Sequence, residues 1–194
     1  MGWGHEGSGD GEFVAPHSLD LDSTGNVFVA DTFNDRIQKF TNDGGLIKSW
    51  GENGTANGEF DYPTPISVDT KTNNVFVSDA RNYRIQKFNN NGDFIMSWGH
   101  AGTGIDQFGG VYGIEVDPKK GHLFIVDTFN LRIKKYTKNG ILNRSWGGHG
   151  QANGQFFPPS GISVYLAGNV FVCDISHMKK FTNNGTFISK WTLS

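Results

Sequence analysis

The residues best suited to chemistry recur at fixed spacing. Aspartates stand at 31, 79, 127 and 174, and the first three are followed five positions later by Arg36, Arg84 and Arg132. A carboxylate and a guanidinium so placed could hold an anion or orient a proton. Repetition in copy after copy points instead to architecture, with Asp31 and Arg36, Asp79 and Arg84, and Asp127 and Arg132 neutralising each other and holding the loop between them. A second set is Asp20 and Glu115, at the position where the other two copies carry Ser67 and Ser163. With His17 nearby, these two carboxylates could hold a divalent cation through oxygen ligands. The six histidines do not cluster as a zinc site requires. The stretches GENGTANGEF and GGHGQANGQF lack the lysine and the strand-to-helix junction of a phosphate loop. Cys173 is the only cysteine, which excludes an intrachain disulfide or a two-cysteine metal or redox site, and it reads as a small strand residue.

The elements that carry these residues repeat with a period of about 48 residues. Tryptophans fall at 3, 50, 98, 146 and 191, and each of the first four is followed ten residues later by Phe13, Phe60, Phe108 or Phe156. Each copy reads as four strands, A to D. Strand A is apolar at alternate positions, as in Leu19 and Leu21 or Ile66 and Val68. Strand B is NVFVAD, NVFVSD, HLFIVD or NVFVCD, too continuously apolar for a sheet with one wet face. Strand C is RIQKF, RIQKF, RIKKY or HMKKF, and strand D ends at the tryptophan. The Asn- and Gly-rich segments between A and B and between C and D supply the positive φ angles of tight hairpins. The predicted fold is therefore all-β, a β-propeller of four-stranded antiparallel blades at approximately 15–51, 62–99, 110–147 and 158–193 within one domain spanning 1–194. Twenty-seven glycines and 13% aromatic residues fit that composition.

The run N-V-F-V-A-D-T-x-N-x-R-I-Q-K-F, preceded by P-x-x-I-x-V-D and followed by W-G and a Gly-rich link to G-x-F, resembles the NHL repeat over essentially the whole chain. The fourth copy departs most: Asp174-Ile175-Ser176-His177 is two residues short and has His177 at the arginine position. The resemblance implies a propeller, most often six-bladed, that serves as a binding module for proteins or RNA. A few related propellers are metal-dependent lyases or lactonases. Zinc-binding RING or B-box segments need cysteines this chain lacks. The repeat begins out of phase, since Trp3-Gly4 reads as the tail of a strand D. The four NHL-like blades then form a four-bladed ring, a part of a six-bladed propeller, or a ring completed by self-association.

Strand order puts the B–C loops and D–A linkers on one face. Positions that vary between copies there are the candidate partner site: Phe33, Arg81 and Phe129 at the loop tips with Tyr83 and Leu131, and His17, Thr64, Tyr112 and Ser160 before strand A. Outside the Asp/Arg pairs, Glu6, Asp10, Glu12, Asp35, Glu52, Glu59, Asp61 and Asp106 face only Arg81. Such a surface disfavours phosphate contacts and favours a basic protein or peptide. The expected function is non-catalytic binding with no cofactor; the alternatives are a propeller enzyme with a divalent cation at the axis and an RNA-binding domain. A net charge of −2 and the absence of a long apolar run fit no membrane role, and the start carries no signal peptide, so a soluble cytoplasmic chain follows if Met1 is the natural start.

Overall fold

The computed structural model describes residues 2–192. Blade 1 consists of β1 (Pro16–Leu21), β2 (Val27–Asp31), β3 (Arg36–Phe40) and β4 (Leu46–Trp50), with one turn of 3-10 helix over Thr32–Asn34. Blade 2 consists of β5 (Pro63–Asp69), β6 (Asn74–Asp79), β7 (Arg84–Phe88) and β8 (Phe94–Trp98). A short parallel pair, β9 (His100–Ala101) and β10 (Gln107–Phe108), precedes blade 3. Blade 3 consists of β11 (Val111–Val116), β12 (Leu123–Asp127), β13 (Arg132–Tyr136) and β14 (Leu142–Gly147). Blade 4 consists of β15 (Gly161–Val164), β16 (Val170–Cys173), β17 (His177–Phe181) and β18 (Phe187–Thr192). Every four-stranded sheet runs in sequence order with antiparallel neighbours, the meander expected from the hairpin turns. The chain divides into two units, Met1–Trp98 and Gly99–Ser194, each with two blades.

Within each unit the two blades pack face to face. In the first, Phe28, Ala30 and Ile37 of blade 1 form one core with Phe60, Ile66, Val68, Val75, Val77 and Phe88 of blade 2. In the second, Phe124, Val126 and Ile133 meet Phe156, Val164, Val170, Val172 and Phe181. This covers one face of each strand B; on the other face of β16, Phe171 and Cys173 are only half-buried. Complete burial of each phenylalanine removes enough apolar surface to contribute about 2–3 kcal/mol.

The tryptophan ending strand D is a cross-blade wedge. Trp50 lies edge-on to Phe28 of its own blade, with ring centres 6.2 Å apart, and reaches Phe88 of the next at 6.0 Å. Trp146 repeats both contacts, at 6.2 Å with Phe124 and 6.0 Å with Phe181. The wedge requires a glycine opposite it. A Cβ on Gly92 would stand 2.7 Å from the Trp50 ring and one on Gly185 2.5 Å from Trp146, and both residues have positive φ.

A polar seam runs beside the wedge at each interface. Lys39 of blade 1 donates to Asn90 Oδ1 of blade 2 at 2.6 Å, while Asn90 Nδ2 donates to Asp22 at 3.1 Å. In the second unit Lys135 donates to Asn183 Oδ1 at 2.5 Å, and Asn183 Nδ2 donates to Asp117 at 2.8 Å. Burial opposes ionisation of Asp22, yet its hydrogen bonds from Asn26, Thr24 and Asn90 hold its carboxyl far below the usual range.

The wedge is open to a direct test. Gly92→Ala combines positive φ with a clash against Trp50, whereas Gly58→Ala has positive φ and open space. We expect Gly58→Ala to cost about 1–2 kcal/mol and Gly92→Ala roughly 1–3 kcal/mol more, measured by urea unfolding; equal losses would show that the tryptophan wedge has no steric role.

Candidate functional site

On the loop face, the buried end of strand B is the hub from which the loops are built. Register places Asp31 opposite Arg36, Asp79 opposite Arg84 and Asp127 opposite Arg132. Arg Nε donates to the carboxylate at 2.7 Å in blades 1 and 2 and 2.8 Å in blade 3. The same carboxylates accept a linker amide, from Val14, Asp61 and Gly109 at 2.7–2.8 Å. An asparagine three residues on completes the set, with Asn34, Asn82 and Asn130 each bonded to the aspartate and to a linker carbonyl.

The arginines do more than hold the B–C loop. Arg36 donates to the carbonyls of Ser8, Gly9 and Glu12, Arg84 to those of Thr55, Ala56 and Glu59, and Arg132 to those of Gly104 and Gln107. Each pair therefore fastens the D–A linker to the B–C loop.

The side chain two residues beyond the arginine is also part of the hub, which its place inside an apolar strand concealed. Gln38 and Gln86 donate to Asp31 and Asp79 and to the carbonyls of Glu12 and Glu59. Blade 3 has Lys134 there, fully buried, 3.7 Å from Asp127 and donating to the carbonyls of Ile105 and Gln107. Blade 4 resolves the apparent defect at His177. Lys179 Nζ pairs with Asp174 at 2.6 Å and donates to Gln155 O, while His177 donates its backbone amide to Asp174. The charge lost with the arginine thus returns two residues later. Burial opposes ionisation of Asp174, but the bonds from Lys179, Ser176 and His177 hold its carboxyl below the ordinary value; at Asp79 burial prevails and pushes the carboxyl up.

This hub displays aromatic rings to solvent. In the first unit Phe33, 58% exposed, lies 5.5 Å from Tyr62, and the guanidinium of Arg81 stands 4.6 Å over the same tyrosine and 3.5 Å from Asp61. Tyr62 holds a left-handed φ of 62°, with its amide donated to Asp35 Oδ1 at 2.8 Å. Sequence reasoning missed Tyr62, because its direction depends on that backbone twist. Tyr83 is exposed and also left-handed; Asp35 and Leu131 at the equivalent loop position are left-handed too but half-buried. In the second unit Phe129, 65% exposed, lies 5.7 Å from Tyr112.

The residues expected just before strand A lie within it in blades 1 to 3, and only Ser160 precedes its strand; they are also less uniform than their spacing suggests. His17 and Ser160 are exposed, Tyr112 is half-buried and Thr64 is fully buried. Asp20 accepts from the amide of Val68 at 2.7 Å and from Ser67 Oγ at 3.3 Å, so its carboxylate ties strand A of blade 1 to that of blade 2. Glu115 is half-buried on β11. Among the described residues no three His, Cys, Asp or Glu side chains are grouped for a metal ion. Several loop-face acids serve turns: Glu12 and Glu59 accept from the amides of Gly9 and Ala56, and Asp35 also accepts from Asn53. Glu6, Asp10, Glu52 and Asp106 remain exposed.

Residues 60–88, from the end of a D–A linker to the end of strand C, match the family model of the NHL repeat. One NHL repeat is thus shown, over residues 60–88. The chain is 49% identical over 45 residues to protein lin-41 of Caenorhabditis elegans and 52% identical over 42 residues to the human NHL repeat-containing protein 3. Those matches cover 23% and 22% of this chain and only 4% and 12% of the two proteins. Among solved structures, virginiamycin B lyase from Staphylococcus aureus superposes with a TM-score of 0.70 at 17% identity, over 92% of this chain and 55% of the lyase. Hydrazine synthase of Kuenenia stuttgartiensis gives 0.71 at 9% identity, over 95% and 51%. The chain thus spans about half the length of these structures. At such identities the likeness shows the fold alone, a β-propeller. No helix among the described residues is long and apolar enough to cross a membrane.

The substitution of lysine for glutamine at the blade-3 hub has a measurable consequence. Burial, with Arg132 beside it, pushes the Lys134 ammonium from 10.5 down to about 8. Between those two values the unfolded chain binds more protons than the folded one, so the contribution of Lys134 to stability rises with pH. We expect the stability of the wild type relative to Lys134→Gln to increase by about 1 kcal/mol or more from pH 7.5 to 9.5, followed by urea unfolding; a pH-independent difference would show that Lys134 keeps its proton.

Proposed function

We propose that the chain is a non-catalytic recognition module whose loop face binds a protein or peptide segment bearing basic side chains. One observation carries this reading. Arg81 lies over the Tyr62 ring beside Asp61, next to the exposed Phe33. An arginine of the chain itself thus occupies a seat of aromatic face and carboxylate, the combination that attracts a guanidinium from outside. Phe129 over Tyr112 offers a second exposed aromatic seat. The loops bearing the rings are fixed by the buried aspartates, so little ordering cost falls on binding.

The exposed carboxylates supply long-range attraction for a basic segment and oppose a phosphate backbone, which separates this reading from RNA binding. The likeness to a lyase supports the same scaffold without carrying the lyase's chemistry. In this reading no cofactor takes part.

The test is selection of a random peptide library on the purified chain. We expect the selected peptides to carry net positive charge. Phe33→Ala combined with Phe129→Ala should weaken their binding by at least tenfold, which is about 1.4 kcal/mol, with little change in thermal midpoint because both rings are exposed. Acidic selected peptides, or undiminished binding by the double variant, would reject the proposal.

A further inference from the structure

An asparagine followed by glycine is a place where a protein chain can modify itself, because the glycine nitrogen reaches the asparagine side chain with no Cβ in the way. The reaction begins with loss of the glycine amide proton. An amide that donates a hydrogen bond therefore reacts only after that bond opens, as in hydrogen exchange. Six such pairs occur in this chain: Asn53–Gly54, Asn57–Gly58, Asn91–Gly92, Asn139–Gly140, Asn153–Gly154 and Asn184–Gly185.

All but one of these glycine amides are engaged. Gly54 donates to Phe60 O at 2.9 Å, and Gly92, Gly140 and Gly185 close their hairpin turns on the carbonyls of Asn89, Thr137 and Thr182 at 2.9–3.1 Å. Gly58 donates to Gln86 Oε1 at 3.0 Å. The amide of Gly154 has no hydrogen-bond partner among the described residues.

The contrast between Gly58 and Gly154 has a cause in the hub. Ala56-Asn57-Gly58 and Ala152-Asn153-Gly154 form the same turn in the linkers before blades 2 and 4, with φ of 88° and 86° at the glycine. In both, the side chain that follows, Glu59 or Gln155, accepts from the alanine amide. Both asparagines are exposed and both glycines half-buried. What differs is the strand-C residue at the linker. Gln86 Nε2 donates to Asp79 and to the carbonyl of Glu59, which leaves Oε1 to accept from Gly58, and Gln38 Oε1 accepts from Gly11 in the same way. Blade 4 has Lys179, whose ammonium can only donate, and its bonds run to Asp174 and to the carbonyl of Gln155. The lysine that restores the charge beside Asp174 thus leaves the Gly154 amide without the acceptor its counterparts have.

We propose that Asn153 is the self-modification site of this chain. Solvent hydroxide takes the Gly154 amide proton, and the nitrogen attacks Cγ of Asn153. The new C–N bond closes a five-membered succinimide, and the carboxamide nitrogen leaves as ammonia. Water then opens the ring at one carbonyl or the other, giving aspartate or, with the backbone rerouted through the side chain, isoaspartate. In sum, a carboxamide and a water become a carboxylic acid and ammonia. Either product places a carboxylate in the D–A linker of blade 4, and isoaspartate also lengthens that backbone by a methylene.

Ageing of the purified 194-residue chain in warm, mildly alkaline buffer, followed by peptide mapping with mass spectrometry, tests this. We expect Asn153 to deamidate first, and roughly tenfold faster than Asn57, the factor that one hydrogen bond supplies. Amide exchange at Gly154 should likewise outpace exchange at Gly58. Gln86→Lys gives blade 2 the arginine-and-lysine hub that blade 3 already uses and removes the acceptor from Gly58. That variant should raise the rate at Asn57 to that of Asn153 while Asn53 and Asn91 keep theirs. Should Asn53 and Asn91 accelerate equally, the variant has loosened its whole unit, and the wild-type ranking of Asn153 against Asn57 decides alone. Equal rates at Asn57 and Asn153 in the wild type, or faster deamidation at any other pair, overturn the proposal. So does an Asn57 that stays slow in a folded Gln86→Lys chain.

Discussion

A buried carboxylate at the end of the second strand of each blade is the constraint on which this structure depends. Asp31, Asp79 and Asp127 are wholly removed from solvent and Asp174 nearly so. An ionised carboxylate in that position is tolerable only when its lone pairs are filled by donors and its charge is matched. The chain meets the requirement by folding a linker, a loop polar residue (an asparagine in blades 1 to 3, Ser176 in blade 4) and a strand-C cation around each one. The loop face thereby becomes a fixed surface while remaining outside the β-ladder, and variable side chains such as Phe33, Arg81 and Phe129 can be presented without loosening the blade.

The same constraint explains how the blades tolerate divergence. Blades 1 and 2 combine arginine with glutamine, blade 3 combines Arg132 with Lys134, and blade 4 uses Lys179 alone with backbone amides. In each case the carboxylate keeps at least one close cation and a linker carbonyl is engaged. Hydrophobic packing between blades is a separate layer, built from the tryptophan wedge, its glycine and the paired phenylalanines. Because the polar hub and the wedge lie at different places on each blade, one can vary while the other is kept.

Much of this was legible in the sequence for a physical reason: period-2 alternation, tight-turn residues and the Asp-to-Arg spacing are local, and local features repeat visibly. The four-stranded meanders and the cross-strand Asp/Arg pairs follow from them directly. The seam of Lys39, Asn90 and Asp22 was not legible, since its members lie 51 and 68 residues apart and meet only when blades pack. Nor was the Tyr62 seat, which depends on a left-handed backbone at a non-glycine residue. The departure at His177 was visible, but its repair by Lys179 becomes clear only once both side chains point to one carboxylate. Thr64 shows the opposite error, a variable position that is buried rather than displayed.

Hydrogen exchange on Asp79→Asn tests the central claim most directly, because that change keeps the shape of the side chain and removes the charge that Arg84 matches. The account predicts a loss of roughly 3 kcal/mol in global stability. It also predicts, under native conditions, a selective loss of protection at the linker amides of Gly54, Phe60 and Asp61, while the ladder between β6 and β7 keeps its order of protection. Unchanged protection in that linker would contradict the claim that the buried aspartate builds the loop face.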